Sequence, residues 1–376
     1  MTSFSDCAEL SHCTTFSDYT KEFLHNDLVK ILDAIKISSI LIEQKINRSA
    51  FDDIQGNTNN SSENSSGDVQ KKLDVISNDI MIEQLTKTGC CSILLSEENE
   101  DAIIIDPEHK GNYMIAFDPL DGSSNIDCNC CIGTIFSVYE DFVKMNSYGE
   151  RQEMSLEQAE GEQLNSVGDS RRSLEERICK TGDEIICAGY VLYGPSTELV
   201  ITIDSKIGKI GKNDKISKNR KKSVQKFTLD RSQNEYLYTG EIDITNKTKK
   251  IYSINEGNYE NWFLDMKAYI NQYKGINSNY AQRYIGSMVA DVHRTLLYGG
   301  MFGYPADKKN TNGKLRVIYE CFPISKIIEA AGGAVIIGHF SKTRILEIKP
   351  KTIHERTSII LGSQSEIDKY IKILHR

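Results

Sequence analysis

Several things are missing from this chain, and each absence narrows what it can be. No apolar run approaches the roughly 20 residues that a helix needs to cross a bilayer, so nothing marks a membrane-spanning protein. Positive charge is not in excess: 45 Lys and Arg stand against 53 Asp and Glu, a formal charge of −8. Such a chain has no general attraction to nucleic acid or to anionic lipid. The opening stretch MTSFSDCAEL lacks the apolar core of a signal peptide, and its Asp6 and Glu9 argue against a transit peptide. The ten cysteines show no zinc-ligand spacing, and CNCC at 128–131 reads as thiols of a buried strand. Scattered cysteines in so long a chain imply a reducing, cytosolic compartment.

What is present is ordinary for a soluble globular protein: 376 residues, 39% hydrophobic and 26% charged, enough for two domains. Residues 27–46 repeat Leu28, Ile31, Leu32, Ile35, Ile42 and Ile46 at helical spacing. GNTNNSSENSSGD (56–68) is too polar to bury much surface and reads as a loop. DVISNDIMIEQLTKTG reads as a short strand or turn that becomes a helix ending at Gly89. Runs rich in β-formers follow at 91–96, 102–106, 113–117, 134–139, 186–194 and 197–204. In the last third, SMVADVHRTLLYGG and PISKIIEAAGG read as helices with glycine stops, SIILGS as a strand and SEIDKYIKILHR as a terminal helix. Mixed strands and helices throughout predict a layered α/β architecture. Two stretches break the rhythm and read as surface insertions, an acidic one at 144–177 and a basic one at 206–226.

Chemistry concentrates in LLSEENEDAIIIDPEHKGNYMIAFDPLDGSSNID (94–127). Glu97 and Glu98 precede Asp118 and Asp121, which follow the strand YMIAF. Carboxylates gathered in this way repel one another unless cations lie between them. Gly122, Ser123 and Ser124 supply backbone N–H groups that can face a phosphate. Hard oxygen ligands select Mg²⁺ or Mn²⁺ over zinc. Acidic metal ligands beside a phosphate cradle predict hydrolysis of a phosphate ester, where charge neutralisation is the main task.

The segments KKLDVISND, SEEN, FDPLDGSSNIDC, GTIFSVY, YSINEGN, RYIGSMVADVHR, YGGMFGYPA and GKLRVIYEC resemble fructose-1,6-bisphosphatase of the common class. That family belongs to the lithium-sensitive, metal-dependent sugar phosphatases. The resemblance covers about residues 68–140, 185–205 and 250–363. It implies a layered α-β-α-β-α sandwich, with an N-terminal half at 12–205 and a C-terminal, substrate-binding half at 206–376. It implies Mg²⁺, with Mn²⁺ as an alternative, held by Glu97, Asp118, Asp121, Glu320 and the carbonyl of Leu120, with Asp68 reaching a further ion when its loop closes. Asp74 and Glu98 would orient and deprotonate water. Asp121, Gly122, Ser123 and Ser124 would hold the 1-phosphate and sugar hydroxyls, Asn255, Tyr284 and Tyr304 the 6-phosphate, and Lys314 the sugar and phosphate oxygens. Arg283 resembles an arginine lent by a neighbouring subunit, which implies a homo-oligomer, most simply a tetramer. The implied reaction is the gluconeogenic hydrolysis of fructose 1,6-bisphosphate in the cytoplasm, with no nucleic-acid or membrane partner. Sedoheptulose-1,7-bisphosphate hydrolysis is the alternative reaction, and a catalytically silent, polyanion-binding homologue the alternative of another class. His293 reads as structural, and Tyr259 as displaced from the position of a phosphate-binding tyrosine.

Two kinds of regulation seen in relatives lack their residues here. Residues 141–177 contain no cysteine for a redox loop. The nucleotide site that makes many relatives sensitive to AMP uses a glycine-bearing turn, a Lys-Tyr pair and an arginine; here the corresponding residues are TKEFLHND, Asn112-Tyr113 and Glu140. Loss of two cationic donors, each worth roughly 1.5–3 kcal/mol, weakens such a site at least about a hundredfold. Titrating AMP into an activity assay should therefore give little inhibition at physiological concentration. Half-inhibition at micromolar AMP that disappears in Tyr113→Ala would show that the site survives.

Overall fold

The computed structural model describes residues 14–52, 54, 56, 71–106, 111–141, 174–204, 223–275 and 277–375. Asp68, most of the 56–72 loop and the bulk of both insertions lie outside the described residues.

Three helices open the chain: α1 (Phe16–Phe23), α2 (Asn26–Arg48) and α3 (Lys72–Lys87). An eight-stranded sheet follows, built from β1 (Cys91–Ser96), β2 (Ile103–Ile104), β3 (Tyr113–Asp121), β4 (Ile132–Glu140), β5 (Ile185–Tyr193), β6 (Thr197–Ile203), β7 (Val224–Asp230) and β8 (Glu235–Ile242). Its order is β2-β1-β3-β4-β5-β6-β7-β8. The second half supplies β9 (Ile251–Ser253), α4 (Leu264–Asn271), β10 (Ala281–Gln282), α5 (Met288–Tyr298), β11 (Met301–Tyr304), β12 (Leu315–Arg316), α6 (Phe322–Ala330), β13 (Ala334–Ile336), β14 (Arg356–Thr357), β15 (Ile359–Gly362) and α7 (Gln364–Ile373). Five of these strands form a second sheet in the order β10-β9-β11-β15-β13.

The layers follow from which faces are apolar. Leu94, Ile115 and Phe117 point from the large sheet toward Leu28, Ile31, Leu32 and Leu85 on α2 and α3. Their neighbours Ile93, Leu95, Met114 and Ala116 point the other way, into a core with Val289 and Val292 of α5 and Ile324, Ile327 and Ile328 of α6. That core also takes Phe302, Val335 and Leu361 from the small sheet. On its far side, Met301, Ile336 and Ile360 pack with Met266, Tyr269 and Ile270 of α4 and Ile367 and Tyr370 of α7. The result is the α-β-α-β-α sandwich, each sheet covered on both faces.

Several local expectations need correction. The run before Gly89 is helical from Lys72 onward, with no strand or turn at its start. The 102–106 segment contributes only the two-residue pairing of Ile103 and Ile104 with β1. Cys128 and Cys130 are exposed and Cys131 is half-buried, because CNCC is a turn that ends before β4 begins at Ile132. The large sheet does not stop near residue 205. Strands β7 and β8, whose alternate residues are only partly buried, continue it to Ile242. His293, by contrast, is packed inside as its structural reading expects, 2.8 Å from the Tyr190 hydroxyl and 3.2 Å from Glu198.

Candidate active site

One cavity of about 510 Å³ opens where the two halves meet. It is lined by Asp74, Glu97, Glu98, Asp118, Asp121, Asp291 and Glu320, with Arg316, Lys71 and Lys314 as the lining cations. Each acid arrives by a different local device.

Asp74 sits in the first turn of α3, where its carboxylate accepts the Lys71 N–H at 2.8 Å. This is a capping interaction, but it uses only Oδ2. Among the described residues, the buried Oδ1 has no hydrogen-bond partner. Glu97 and Glu98 lie just past the end of β1, and the Glu97 N–H continues the pairing to Phe117 at 3.1 Å. Asp118 and Asp121 do not follow their strand, as the sequence suggested, but lie within β3. Three residues apart on a regular strand, their side chains would face opposite ways. The pairing of β3 with β4 slips between them, from Asp118↔Ile135 to Asp121↔Gly133. This bulge inserts one residue and turns both carboxylates to the same side. Glu320 is not at a strand end either: β12 stops at Arg316, and Val317–Cys321 form a wide, π-helical turn. Its carboxylate accepts the Arg316 N–H at 2.6 Å.

The outcome is a cluster in which ligand atoms of Asp118, Asp121 and Glu320 all lie within 4.8 Å of one another. All three residues are buried. Burial is the main reason that Glu97, Asp118, Asp121 and Glu320 bind protons more tightly than ordinary carboxylates; mutual repulsion adds to it for Glu97, Asp118 and Glu320. Arg316 is buried too and offsets part of this, 3.3 Å from Glu97. Asp74 is pushed up to about 7, first by burial and then by Glu98. Buried, hard-oxygen donors with so little cation among them suit a divalent ion such as Mg²⁺.

Beside the acids, Gly122 adopts a left-handed conformation (φ 77°) that a side chain would strain. A Cβ there would also come within 2.7 Å of Ser287 Cβ. This close approach lets Ser287 donate to Asp121 at 2.7 Å, while the Val289 N–H donates to the same oxygen at 2.9 Å. Ser123 and Ser124 begin the helical turn Ser123–Cys128 and line the cavity, as does Leu120. Tyr284, Tyr304 and Lys314 line it too.

Two expected residues do not reach the cavity. Asn255 is exposed and accepts the Gly257 N–H at 3.1 Å, capping the turn Glu256–Asn261. Arg283 is exposed and donates to the Gln282 carbonyl at 2.7 Å. Asp68 lies outside the described residues.

The sequence and the fold have counterparts. The family profile "Fructose-1-6-bisphosphatase, N-terminal domain" matches residues 10–241, and the corresponding C-terminal domain profile matches 245–375. This chain belongs to the fructose-1,6-bisphosphatase family. It is 43% identical over 316 residues to the cytosolic fructose-1,6-bisphosphatase of Spinacia oleracea, covering 83% of this chain and 79% of that protein. With the chloroplastic enzyme of Pisum sativum the identity is 36% over 357 residues, 94% of this chain and 80% of the other. The crystal structure of Leishmania major fructose-1,6-bisphosphatase in holo form superposes with a TM-score of 0.81 at 36% identity, covering 96% of this chain and 99% of that one.

Three residues of this fructose-1,6-bisphosphatase family member, not singled out from sequence, shape the site. Arg316 is the buried cation of the acidic cluster, and its place four residues before Glu320 in GKLRVIYE was a usable signal. Ser287 holds Asp121. Asp291, fully buried, accepts from Ser253 Oγ at 2.8 Å, from the Ile285 and Gly286 N–H groups at 3.0 Å each, and from Arg294 at 2.6 Å. It thereby fixes the segment between Tyr284 and Ser287.

The raised carboxyl pKa values predict a stability profile for the metal-free protein. A carboxyl that binds its proton more tightly when folded stabilises fully below its unfolded value, and that contribution is lost as pH rises through the folded one. For Asp74 the window runs from 3.8 to about 7. The melting temperature of chelator-treated protein should fall between about pH 4 and pH 7, by less in Asp74→Asn. Added Mg²⁺ should raise it more at about pH 8 than at about pH 5, since protons compete for the ligands. An equal rise at both pH values would rule out these carboxylates as the binding site.

Proposed function

We propose that this chain hydrolyses fructose 1,6-bisphosphate to fructose 6-phosphate and phosphate with the aid of Mg²⁺, for which Mn²⁺ can substitute. The observation that carries the reading is the convergence of Asp118, Asp121 and Glu320, from two halves of the chain, beside the left-handed Gly122 turn. Membership of the family supports the choice of substrate, and the cytosolic and chloroplastic relatives share the same named activity. Glu97, Asp118, Asp121, Glu320 and the Leu120 carbonyl would hold the ions, with Asp68 contributing from the neighbouring loop. Such ions supply charge neutralisation at the phosphoryl group and acidify water.

The chain's own groups divide the remaining work. Asp74, titrating near neutrality with one buried oxygen unpaired, is suited to accept a proton from the attacking water. Glu98 lies next to it in charge contact and would orient that water. Backbone N–H groups at Gly122, Ser123 and Ser124 would cradle the 1-phosphate. Tyr284, Tyr304 and Lys314, which also line the cavity, would receive the sugar and the 6-phosphate, and Asn255 would have to turn toward them to join. Arg283, exposed and turned from the cavity of its own chain, suits delivery into a neighbour's, so the working unit would be a homo-oligomer, most simply a tetramer. The cytosol is the proposed compartment. AMP is proposed to be a poor inhibitor, because Asp27 and Glu140 place negative charge around Tyr113, whose pKa is raised first by burial and then by these two acids.

Phosphate release from fructose 1,6-bisphosphate should require Mg²⁺ and stop with a chelator. Asp118→Asn should lower kcat by orders of magnitude while the circular dichroism spectrum is retained. Asp74→Asn should depress kcat more than it raises KM. Near-normal turnover in both variants would remove the assignment, and faster hydrolysis of sedoheptulose 1,7-bisphosphate would reassign the substrate. Hybrid oligomers of Arg283→Ala with Asp118→Asn chains should regain part of the activity. Verified hybrids with none would return Arg283 to its own subunit.

A further inference from the structure

The CNCC turn takes no part in the chemistry above, yet it is joined to it. Cys128 is the last residue of the helical turn whose first residues, Ser123 and Ser124, line the cavity. Asn125 spans the turn, donating to the Cys131 carbonyl at 3.2 Å and to the Ile285 carbonyl at 3.4 Å. Asp127 accepts the Gly56 N–H at 3.3 Å and pairs with Lys71, the residue that precedes α3. One six-residue segment thus carries phosphate-facing serines at one end and thiols at the other.

The thiols are arranged in a particular way. Asn129 is left-handed, at φ 55°, and its N–H donates to the Ile126 carbonyl at 3.1 Å. The chain therefore doubles back between Cys128 and Cys130. The Cys128 Sγ donates to the Asn125 carbonyl at 3.3 Å and the Cys130 Sγ to the Cys128 carbonyl at 3.8 Å. Both residues are exposed, and their thiols lie in hydrogen-bonding contact, which raises the pKa of Cys130. Cys131 faces elsewhere: a Cβ on Gly194 would meet its sulfur at 3.3 Å. The three sulfurs do not form a metal site, since the only convergent ligand group among the described residues is the carboxylate one. A disulfide needs Cα atoms roughly 4.4–6.8 Å apart, a span open to residues two apart across a left-handed bend.

We propose that Cys128 and Cys130 are a modification site for low-molecular-weight disulfides, closing to a Cys128–Cys130 disulfide across Asn129 that reshapes the phosphate-facing turn. The Cys128 thiolate attacks one sulfur of the oxidant, forming a mixed disulfide and expelling one thiolate. Cys130, losing its proton to solvent, attacks the Cys128 sulfur and expels the second thiolate. Two protein thiols are oxidised by two electrons, and one disulfide of the glutathione class is reduced to two thiols. An exposed ring of this kind is readily reduced, so the modification is reversible.

The test uses the full chain with Mg²⁺ and oxidised glutathione, followed by alkylation and peptide mapping. Loss of alkylation at Cys128 and Cys130 together, in a linked peptide restored by dithiothreitol, is expected. Cys130→Ser should stop at the glutathione adduct on Cys128, and Cys131→Ser should close like the parent. Full alkylation of both thiols, or a bridge mapped to Cys131, would overturn the site. The effect on the cavity rests on the proposed hydrolase reading, whereas the mapping needs no substrate, so the two can fail separately. On closure, kcat/KM for fructose 1,6-bisphosphate should fall at least about tenfold and recover with dithiothreitol; closure with unchanged activity would overturn the coupling to the turn.

Discussion

Mutual repulsion among buried carboxylates is the constraint around which this molecule is organised. Seven acids line one cavity, and among the described residues that line it Arg316 is the one buried cation. A solvated loop would let such groups separate. Here five of them are placed by a particular piece of backbone: a β-bulge for Asp118 and Asp121, a strand end for Glu97, a helix first turn for Asp74 and a wide helical turn for Glu320. The energy that holds them in place comes from elsewhere. Two large apolar layers, one on each face of the eight-stranded sheet, clamp β1 and β3 along their whole length.

Irregular backbone is concentrated where the acids are. Regular strands would scatter Asp118 and Asp121 to opposite faces, and a regular α-helical turn in place of Val317–Cys321 would re-aim Glu320. Deviations of this sort are common beside functional sites because they redirect a side chain without disturbing the layers beneath. The turn at Gly122 serves the same end through space: the missing Cβ is what lets the second half of the chain, through Ser287 and Val289, hold a carboxylate of the first.

Much of this was legible in the sequence. Helical spacing marked α2, β-rich runs marked β1 and β3 to β6, and the acidic motif with its glycine marked the cavity. The parts that were not legible share a cause. Strands β7 and β8 have alternate residues that remain partly exposed, so polar side chains hide their pattern. The bulge in β3 and the turn around Glu320 are set by tertiary pairing and leave no local periodicity. CNCC looked like buried strand because cysteine is usually buried, whereas a left-handed asparagine in its midst exposes two of the thiols. Asp291 was invisible for a different reason: an acid in the first turn of a helix reads as an ordinary capping residue, and the long-range bond from Ser253, 38 residues away, forms only on folding.

Asp291 also joins two functions. It sits in the first turns of α5, whose N-terminal residues Ser287 and Val289 hold Asp121, and it anchors the backbone that presents Tyr284. The residues that hold Asp121 and the backbone that carries Tyr284 therefore share one short helix end. Anything that tightens one should pre-order the other, and thermodynamic linkage makes that benefit mutual. On the proposed reading of the site, substrate and metal affinities would form a single coupled quantity, each meaningful only at a stated level of the other.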